Sequence, residues 1–301
     1  MHHTNQINLS YIIATRNRLP FLKITLQKLI AALQPDEEIV IVDGNSTDGS
    51  KEYLLNLFEG GSIHQYISES DKNQAHGWNK ALLMVRGTII KKIIDDDVFC
   101  YDSICKCKKH MLQHADVDVI ISNDLGCSLQ NYKKVQKFSR LPQFEKWSSG
   151  ATPCFTFGDV HMLIRRSALA YIGLYNTSFI MMDWEYALRI SQVKANICYY
   201  TGYNALSVSH PDTVSSLKNN NVIADQGKKA AVFYEYGGDD AEISLWSKIK
   251  IFIGKSIYAN TANNIDIKIK PSEIPAIYEY LHHYIAELNN KEDGVFLTSR
   301  R

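Results

Sequence analysis

Two rhythms of apolar residues alternate through the first part of the chain. Short runs rich in β-branched residues, over 8–14, 38–42, 63–67 and 88–94, have the length and composition of buried strands. Between them apolar side chains return every three or four residues, as one face of a helix requires. Pro20 opens the first such stretch, where Leu22, Leu26, Leu29, Ile30 and Leu33 align, and Pro35-Asp36 breaks it. A second helix is expected over 50–58, with Thr47 or Asp48 as its N-cap, and a third over 73–85, ahead of a turn at Gly87. Strand–helix units of roughly 25 to 30 residues are the rhythm of an α/β fold with a parallel, doubly wound sheet. Ligands of such sheets sit beyond the carboxyl ends of the strands. The loop 15–18, Asp43 and the acidic run 95–97 all fall at such ends, so they are expected to meet in one crevice.

Further along, 102–114 reads as a helix and 117–122 as a strand. Residues 123–156, with Pro142 and Pro153, show no clear period and read as a loop or small excursion over the site. Strand then helix is expected over 158–174, an amphipathic helix from Met181, and a strand over 195–200. From residue 223 the chain becomes helical and lysine-rich. The domain reading is therefore a catalytic part, 1–222, split near 122 into a nucleotide-binding and an acceptor half, and a helical C-terminal extension, 223–301. Within the extension, 243–258 mixes Leu245, Trp246, Ile249, Phe252 and Ile253 with Lys248, Lys250 and Lys255. Such a helix lies peripherally on an anionic membrane, or packs on the catalytic part or a second copy of the chain. A last helix is expected over 271–288.

Composition narrows the partners. The formal net charge is +1, which leaves no excess of positive charge to hold nucleic acid. Six cysteines occur without a CxxC pair, the pattern of reduced thiols. No apolar run reaches the length of about 18 residues that spans a bilayer, and no charged segment followed by a long apolar one opens the chain. A cytoplasmic protein is expected, soluble or peripheral on the inner face of the membrane.

The chemistry gathers at KKIIDDDVF, residues 91–99. Asp95, Asp96 and Asp97 follow an apolar run, and carboxylates crowded at a strand end repel one another and are penalised by burial. A solvated acidic turn is one reading. A divalent cation would relieve both costs, and hard oxygen ligands suit Mg²⁺ or Mn²⁺. His110 and His114 lie four apart on a helix but lack an HExxH arrangement, so they read as a surface feature. No GxGxxG or Walker loop is present to anchor a dinucleotide or P-loop site. A nucleotidyltransferase would also pair a nucleotide fold with acidic metal ligands. It requires a basic, Gly-rich loop after the first strand, where this chain has ATRNR.

A series of segments, in order over residues 8–215, resembles the family 2 (GT-A fold) glycosyltransferases. After the first strand comes ATRNR, then VDGNSTDGS, then SESDKNQAHGWNKAL, with Asn73 and Ala81 where glycines are usual. IIDDDVF stands for the DxD-type acidic cluster. RRSALAYIGLY, MDWEYALRI and HPDTVS follow, with Met182 in place of the glutamate that usually precedes the aspartate.

The resemblance implies a GT-A, Rossmann-like, mostly parallel sheet flanked by helices. It implies an inverting, metal-dependent transfer of a hexosyl or N-acetylhexosaminyl group from a UDP- or GDP-sugar. The acceptor would be a hydroxyl of a saccharide or lipid-linked saccharide, in bacterial surface-polysaccharide or glycolipid assembly. It assigns Asp183 as the base that deprotonates the acceptor. Thr15, Arg18, Asp43, Glu69, Asp71, Lys72 and Asn79 fall where the donor nucleotide is bound. Read as DxD, the acidic run offers Asp95 and Asp97; aligned on an SDD pattern it offers Asp96 with Asp97 behind it. Asp96 and Asp97 are expected on the metal, with Asp95 or Asp96 near the nucleotide and His210 a further metal ligand. Imidazole in the set tilts the choice toward Mn²⁺. Asp159, His161 and Trp184 are expected to contact the acceptor or donor sugar. A non-catalytic sugar-binding protein of the same fold is the rival; it predicts that Asp183→Asn leaves function intact.

Overall fold

The apolar runs of the first half become strands whose two faces are both covered. In a computed structural model, which describes residues 6–210, 220–238 and 269–299, four strands pair in parallel in the order β4-β1-β2-β3. They are β1 (Leu9–Thr15), β2 (Glu37–Asp43), β3 (Gln65–Ser68) and β4 (Ile89–Lys92). The crossovers are α1 (Leu19–Ala32), α2 (Ser50–Glu59) and α3 (Gln74–Met84). Side chains alternate across the sheet. Ile12, Val40 and Ile90 join Trp78 in one apolar layer, and Tyr11, Ile13 and Ile41 join Leu22 and Leu26 in the other. Burying each large apolar side chain contributes about 1.5–3 kcal/mol, so the sheet centre is where the fold is anchored.

The second half extends this sheet to eight strands in the order β12-β10-β6-β9-β4-β1-β2-β3. The numbering counts, in chain order, β5 (Val98–Phe99), β6 (Val119–Ser122), β7 (Asp124–Ser128), β8 (Gln136–Phe138), β9 (Met162–Arg165), β10 (Ile197–Tyr200), β11 (Ala205–Ser209) and β12 (Phe296–Thr298). β6 and β10 are parallel, whereas β9 runs antiparallel between β4 and β6, and β12 antiparallel on β10. β5, β11, β7 and β8 form a second, four-stranded sheet. The helices are α4 (Tyr101–Gln113), α5 (Leu141–Ser148), α6 (Leu169–Ile172), α7 (Met182–Gln192), α8 (Asn220–Phe233) and α9 (Ile274–Lys291). The expected α/β architecture, a mostly parallel sheet flanked by helices, is thus observed.

Several local expectations are corrected. The strand expected over 88–94 stops at Lys92; the amide of Asp97 closes onto the carbonyl of Ile94 at 3.2 Å, so the acidic run lies in a turn. The N-cap position of α2 is Gly49 at φ +91, one residue beyond Asp48. The Asp48 carboxylate accepts from the Ser50 amide at 3.1 Å, at the first residue of that helix, and from the Leu19 amide at 2.9 Å, at the start of α1. Residues 123–156, expected to be irregular, carry β7, β8 and α5. Their alternation is only five residues long in β7, and the partner that makes it a strand, β11, is distant in the sequence.

The C-terminal helix is amphipathic, with Ile274, Ile277, Tyr278, Leu281, Ile285 and Leu288 turned inward. It packs on the small sheet beside Val98, Leu206 and Val208, and the chain then returns as β12. That last strand was not among the expectations. Residues 243–258 lie outside the described residues. Among the described residues no helix is long and apolar enough to cross a membrane.

Candidate active site

The 95–97 turn is held from four elements. At the end of β1, Thr15 Oγ1 donates to Asp95 Oδ2 at 2.5 Å, and Thr25 Oγ1 of α1 donates to the Asp95 carbonyl at 2.8 Å. The Val208 amide of β11 donates to Asp97 Oδ1 at 2.8 Å. The Tyr278 hydroxyl of α9 donates to the Asp96 carbonyl. Asp96 Oδ2 meets His210 Nε2 at 2.8 Å and Arg18 Nη1 at 3.4 Å, and the His210 ring stacks on Phe21 with centroids 4.9 Å apart. Thr15, Arg18, the three aspartates and His210 are therefore brought together.

Each of the three aspartates is no more than 6% exposed. Burial, and after it the Asp96 charge, push Asp95 up to about 7. The same two causes raise Asp97 well above the usual carboxylate range. Among the described residues the positive groups that act on this turn are the Arg18 guanidinium, with the His210 imidazole beside it, and Lys92 further off. Carboxylate oxygens suit Mg²⁺ or Mn²⁺, and an imidazole nitrogen beside them tilts the set toward Mn²⁺, so the donor types are those of a divalent-cation site. Among the described residues no three His, Cys, Asp or Glu side chains already converge around a common point. Asp96 is instead met by His210 and Arg18.

A cleft of about 380 Å³ opens beside the turn. Ile94 and Ser207, the chain neighbours of Asp95 and Val208, line it together with Asp124, Arg140, Asp159, His161, Asp183 and Trp184. Asp183 stands in the first turn of α7, after the Met181 cap, so it is not itself the N-cap. Burial, then Asp159, raise its carboxyl, and Lys92 opposes them. Asp159 and His161 come from the short 3₁₀ turn ahead of β9. Asp159 Oδ2 accepts from Lys92 Nζ and from the Tyr175 hydroxyl, both at 2.7 Å. Burial, then the Lys91 and Arg140 charges, pull His161 down to about 3, so its ring is neutral. Trp184 lies edge-on to Tyr236, with centroids 5.7 Å apart.

Asp43 is fully buried at the end of β2, where it accepts from the Ser46 amide at 3.1 Å and from Ser68 Oγ at 2.6 Å. Asp71 pairs with Lys80 at 2.9 Å, and exposed Glu69 pairs with the same ammonium at 2.8 Å. A Cβ at Gly77 would come within 2.8 Å of Asp71 Oδ2, so glycine there lets the carboxylate close onto α3. Lys72 is exposed. Asn79 uses both ends of its amide on the Tyr175 backbone, at 2.8 and 2.9 Å, and is committed to the fold.

Sequence reasoning missed Lys91, Lys92, Asp124 and Tyr278. Two lysines inside a strand that is otherwise apolar were a usable signal, since central strands of such sheets are apolar on both faces. Nothing local marks Tyr278, which lies 182 residues from its partner. The remainder of the MDWEYALR segment fixes α7. Arg189 bridges Glu185 at 2.9 Å and donates to the Ile172 carbonyl at 2.9 Å.

Structural comparison finds the fold elsewhere. TarS residues 1–349 from S. aureus, in complex with UDP-GlcNAc, superposes with a TM-score of 0.60 at 15% identity, over 93% of this chain and 81% of that one. The mannosyltransferase PcManGT from Pyrobaculum calidifontis, in complex with GDP-Man and Mn²⁺, gives 0.53 at 16% identity, over 96% and 88%. A comparison with curated protein sequences finds no match. The family described as Glycosyl transferase family 2 matches residues 10–173, which carry the four parallel strands, the acidic turn and Asp159. By that match over more than half of its length, the chain belongs to glycosyl transferase family 2.

Proposed function

We propose that the protein transfers a sugar, with inversion, from a nucleotide-diphospho-sugar to an acceptor hydroxyl. One observation carries this reading: Asp183 lines the same cleft as Ile94 and Ser207, which lead directly into the buried acidic turn and its clasp. A carboxylate whose proton affinity is raised by burial suits a general base working near neutral pH. Asp183 would take the proton of the acceptor hydroxyl as its oxygen attacks the anomeric carbon, opposite the leaving diphosphate. Asp96, Asp97 and His210 would hold a divalent cation, Mn²⁺ or Mg²⁺, which supplies Lewis-acid stabilisation of that diphosphate. Thr15, Arg18 and Asp95 border the ribose and phosphates, and Asp43 accepts from a nucleobase N–H. Glu69, Asp71 and Lys72 flank the donor, and Asn79 acts on it through Tyr175. Asp159, His161 and Trp184 contact the sugars, Trp184 offering an apolar face. The ligands of the two superposed enzymes, UDP-GlcNAc and GDP-Man, support a UDP- or GDP-linked donor of hexosyl or N-acetylhexosaminyl type.

The acceptor of this reading is a saccharide or lipid-linked saccharide in cytoplasmic polysaccharide or glycolipid assembly, with 243–258 as a membrane or subunit contact. The domain division at 122 and 222 belongs to the same reading, with α9 adding to the donor side. A thermal-shift series of UDP- and GDP-sugars with and without Mn²⁺ tests the donor site, because a ligand stabilises in proportion to the logarithm of its concentration over Kd. Asp183→Asn should keep that shift and lower transfer about 10²–10⁴-fold. A donor-free melting curve under every condition, or full transfer by the variant, refutes the reading.

A further inference from the structure

β4 sends its two adjacent lysines to opposite faces, and Lys92 emerges beneath the cleft. Its ammonium lies 2.7 Å from Asp159 Oδ2, 4.5 Å from the Trp78 ring centroid and 5.4 Å from that of Tyr175. The Tyr175 hydroxyl donates to the same Asp159 oxygen. The Lys92 and Asp159 side chains are each 4% exposed. So buried an ion pair is weak evidence for stability, since an apolar pair of equal volume commonly does as well. Its position gives it another use. Asp159 and Asp183 line one cleft, and two carboxylates sharing a site cannot both ionise freely.

We propose that Lys92 is a positioning residue for Asp183: pinned by Trp78, Tyr175 and Asp159, its ammonium offsets the Asp159 charge, so that Asp159 competes less with Asp183 for a proton. This rests on the reading of Asp183 as the base. Among the described residues, the other charged groups near Asp183 face partners of their own. On its own helix Glu185 is bound to Arg189 and to the Tyr234 hydroxyl. Across the cleft Asp124 faces Arg140 at 3.7 Å, and the His161 ring is neutral. Asp159 is the carboxylate that raises Asp183, and Lys92 is the cation that opposes it.

The test reads Asp183 itself. Protein labelled with ¹³C at the aspartate carboxyls is titrated by NMR, and the Asp183→Asn spectrum assigns the signal. Lys92→Gln keeps a donor toward Asp159 but removes the charge, and should raise the Asp183 midpoint by about one pH unit or more. Asp159→Asn should lower it by a similar amount, Lys92→Arg should leave it in place, and the double variant Lys92→Gln/Asp159→Asn should return it close to wild type. A merely structural role would not move the midpoint in opposite directions. Should Lys92→Gln not fold, the downward shift in Asp159→Asn decides. An unmoved midpoint in Asp159→Asn, or shifts of the same sign in both single variants, overturns the proposal. If Asp183→Asn releases nucleoside diphosphate from the bound donor at the wild-type rate, the base assignment falls while the charge-balance result stands.

Discussion

Replacing Lys91 by methionine should change the pH dependence of stability more than stability itself. Lys91 is fully buried, and its Nζ donates to Asn204 Oδ1 at 2.9 Å and to the Val160 carbonyl, with Phe99 alongside. Asn204 in turn donates to the His161 carbonyl at 2.9 Å, so this network seats the turn that carries Asp159 and His161. Burial pulls the Lys91 ammonium from 10.5 down to about 7. Between those values the unfolded chain binds the proton and the folded one does not, so stability rises with pH through that window. At 1.36 kcal/mol per unit, the gain from pH 7 to 10 is about 4 kcal/mol. Methionine has no such slope. At pH 7 the variant escapes the cost of a buried charge but leaves the Val160 and Asn204 oxygens unpaired, at about 1–3 kcal/mol each. The two effects nearly offset, so the variant should melt close to wild type there. For 301 residues, with about 2.1 cal/mol/K of unfolding entropy per residue, 4 kcal/mol corresponds to about 6 °C. Thermal unfolding at pH 7, 8.5 and 10 should therefore show Lys91→Met falling behind by about 6 °C more at pH 10 than at pH 7. His161, which the Lys91 charge helps to lower, titrates below this window, so it does not alter the comparison. A Tm difference that stays constant with pH would refute the reasoning.

Tyr278→Phe removes the donor to the Asp96 carbonyl, and should cost about 1 kcal/mol in urea unfolding. It should also shrink the Tm rise produced by a nucleoside diphosphate with Mn²⁺; an undiminished rise would mean that α9 gives the acidic turn no support. His161 is held down to about 3, against an ordinary value of 6.5. The unfolded chain therefore binds more protons between those values, and stability falls as pH drops below 6.5, by about 2 kcal/mol at pH 5. His161→Gln should flatten that part of the profile, read from urea midpoints at pH 7 and 5.

What this sequence determined by itself is local. The run Leu9–Thr15 and the three-and-four spacing of Leu22, Leu26 and Leu29 set strand and helix, because period and composition act between near neighbours. Parallel alternation then put Thr15, Asp43 and the acidic turn at one end of the sheet, since a crossover helix returns each strand to the same edge. Only the tertiary structure decided what meets them there. The antiparallel insertion of β9 between β4 and β6 brings Asp159 onto Lys92, 67 residues away. The return of α9 lays Tyr278 on Asp96. The distant strand β11 turns part of an unreadable stretch into a sheet. These contacts form between surfaces with no local period of their own, and they depend on which burial satisfies the most apolar area and the most polar atoms at once. A buried lysine inside an apolar strand is where the two levels disagree, and there the packing found a carboxylate to answer it.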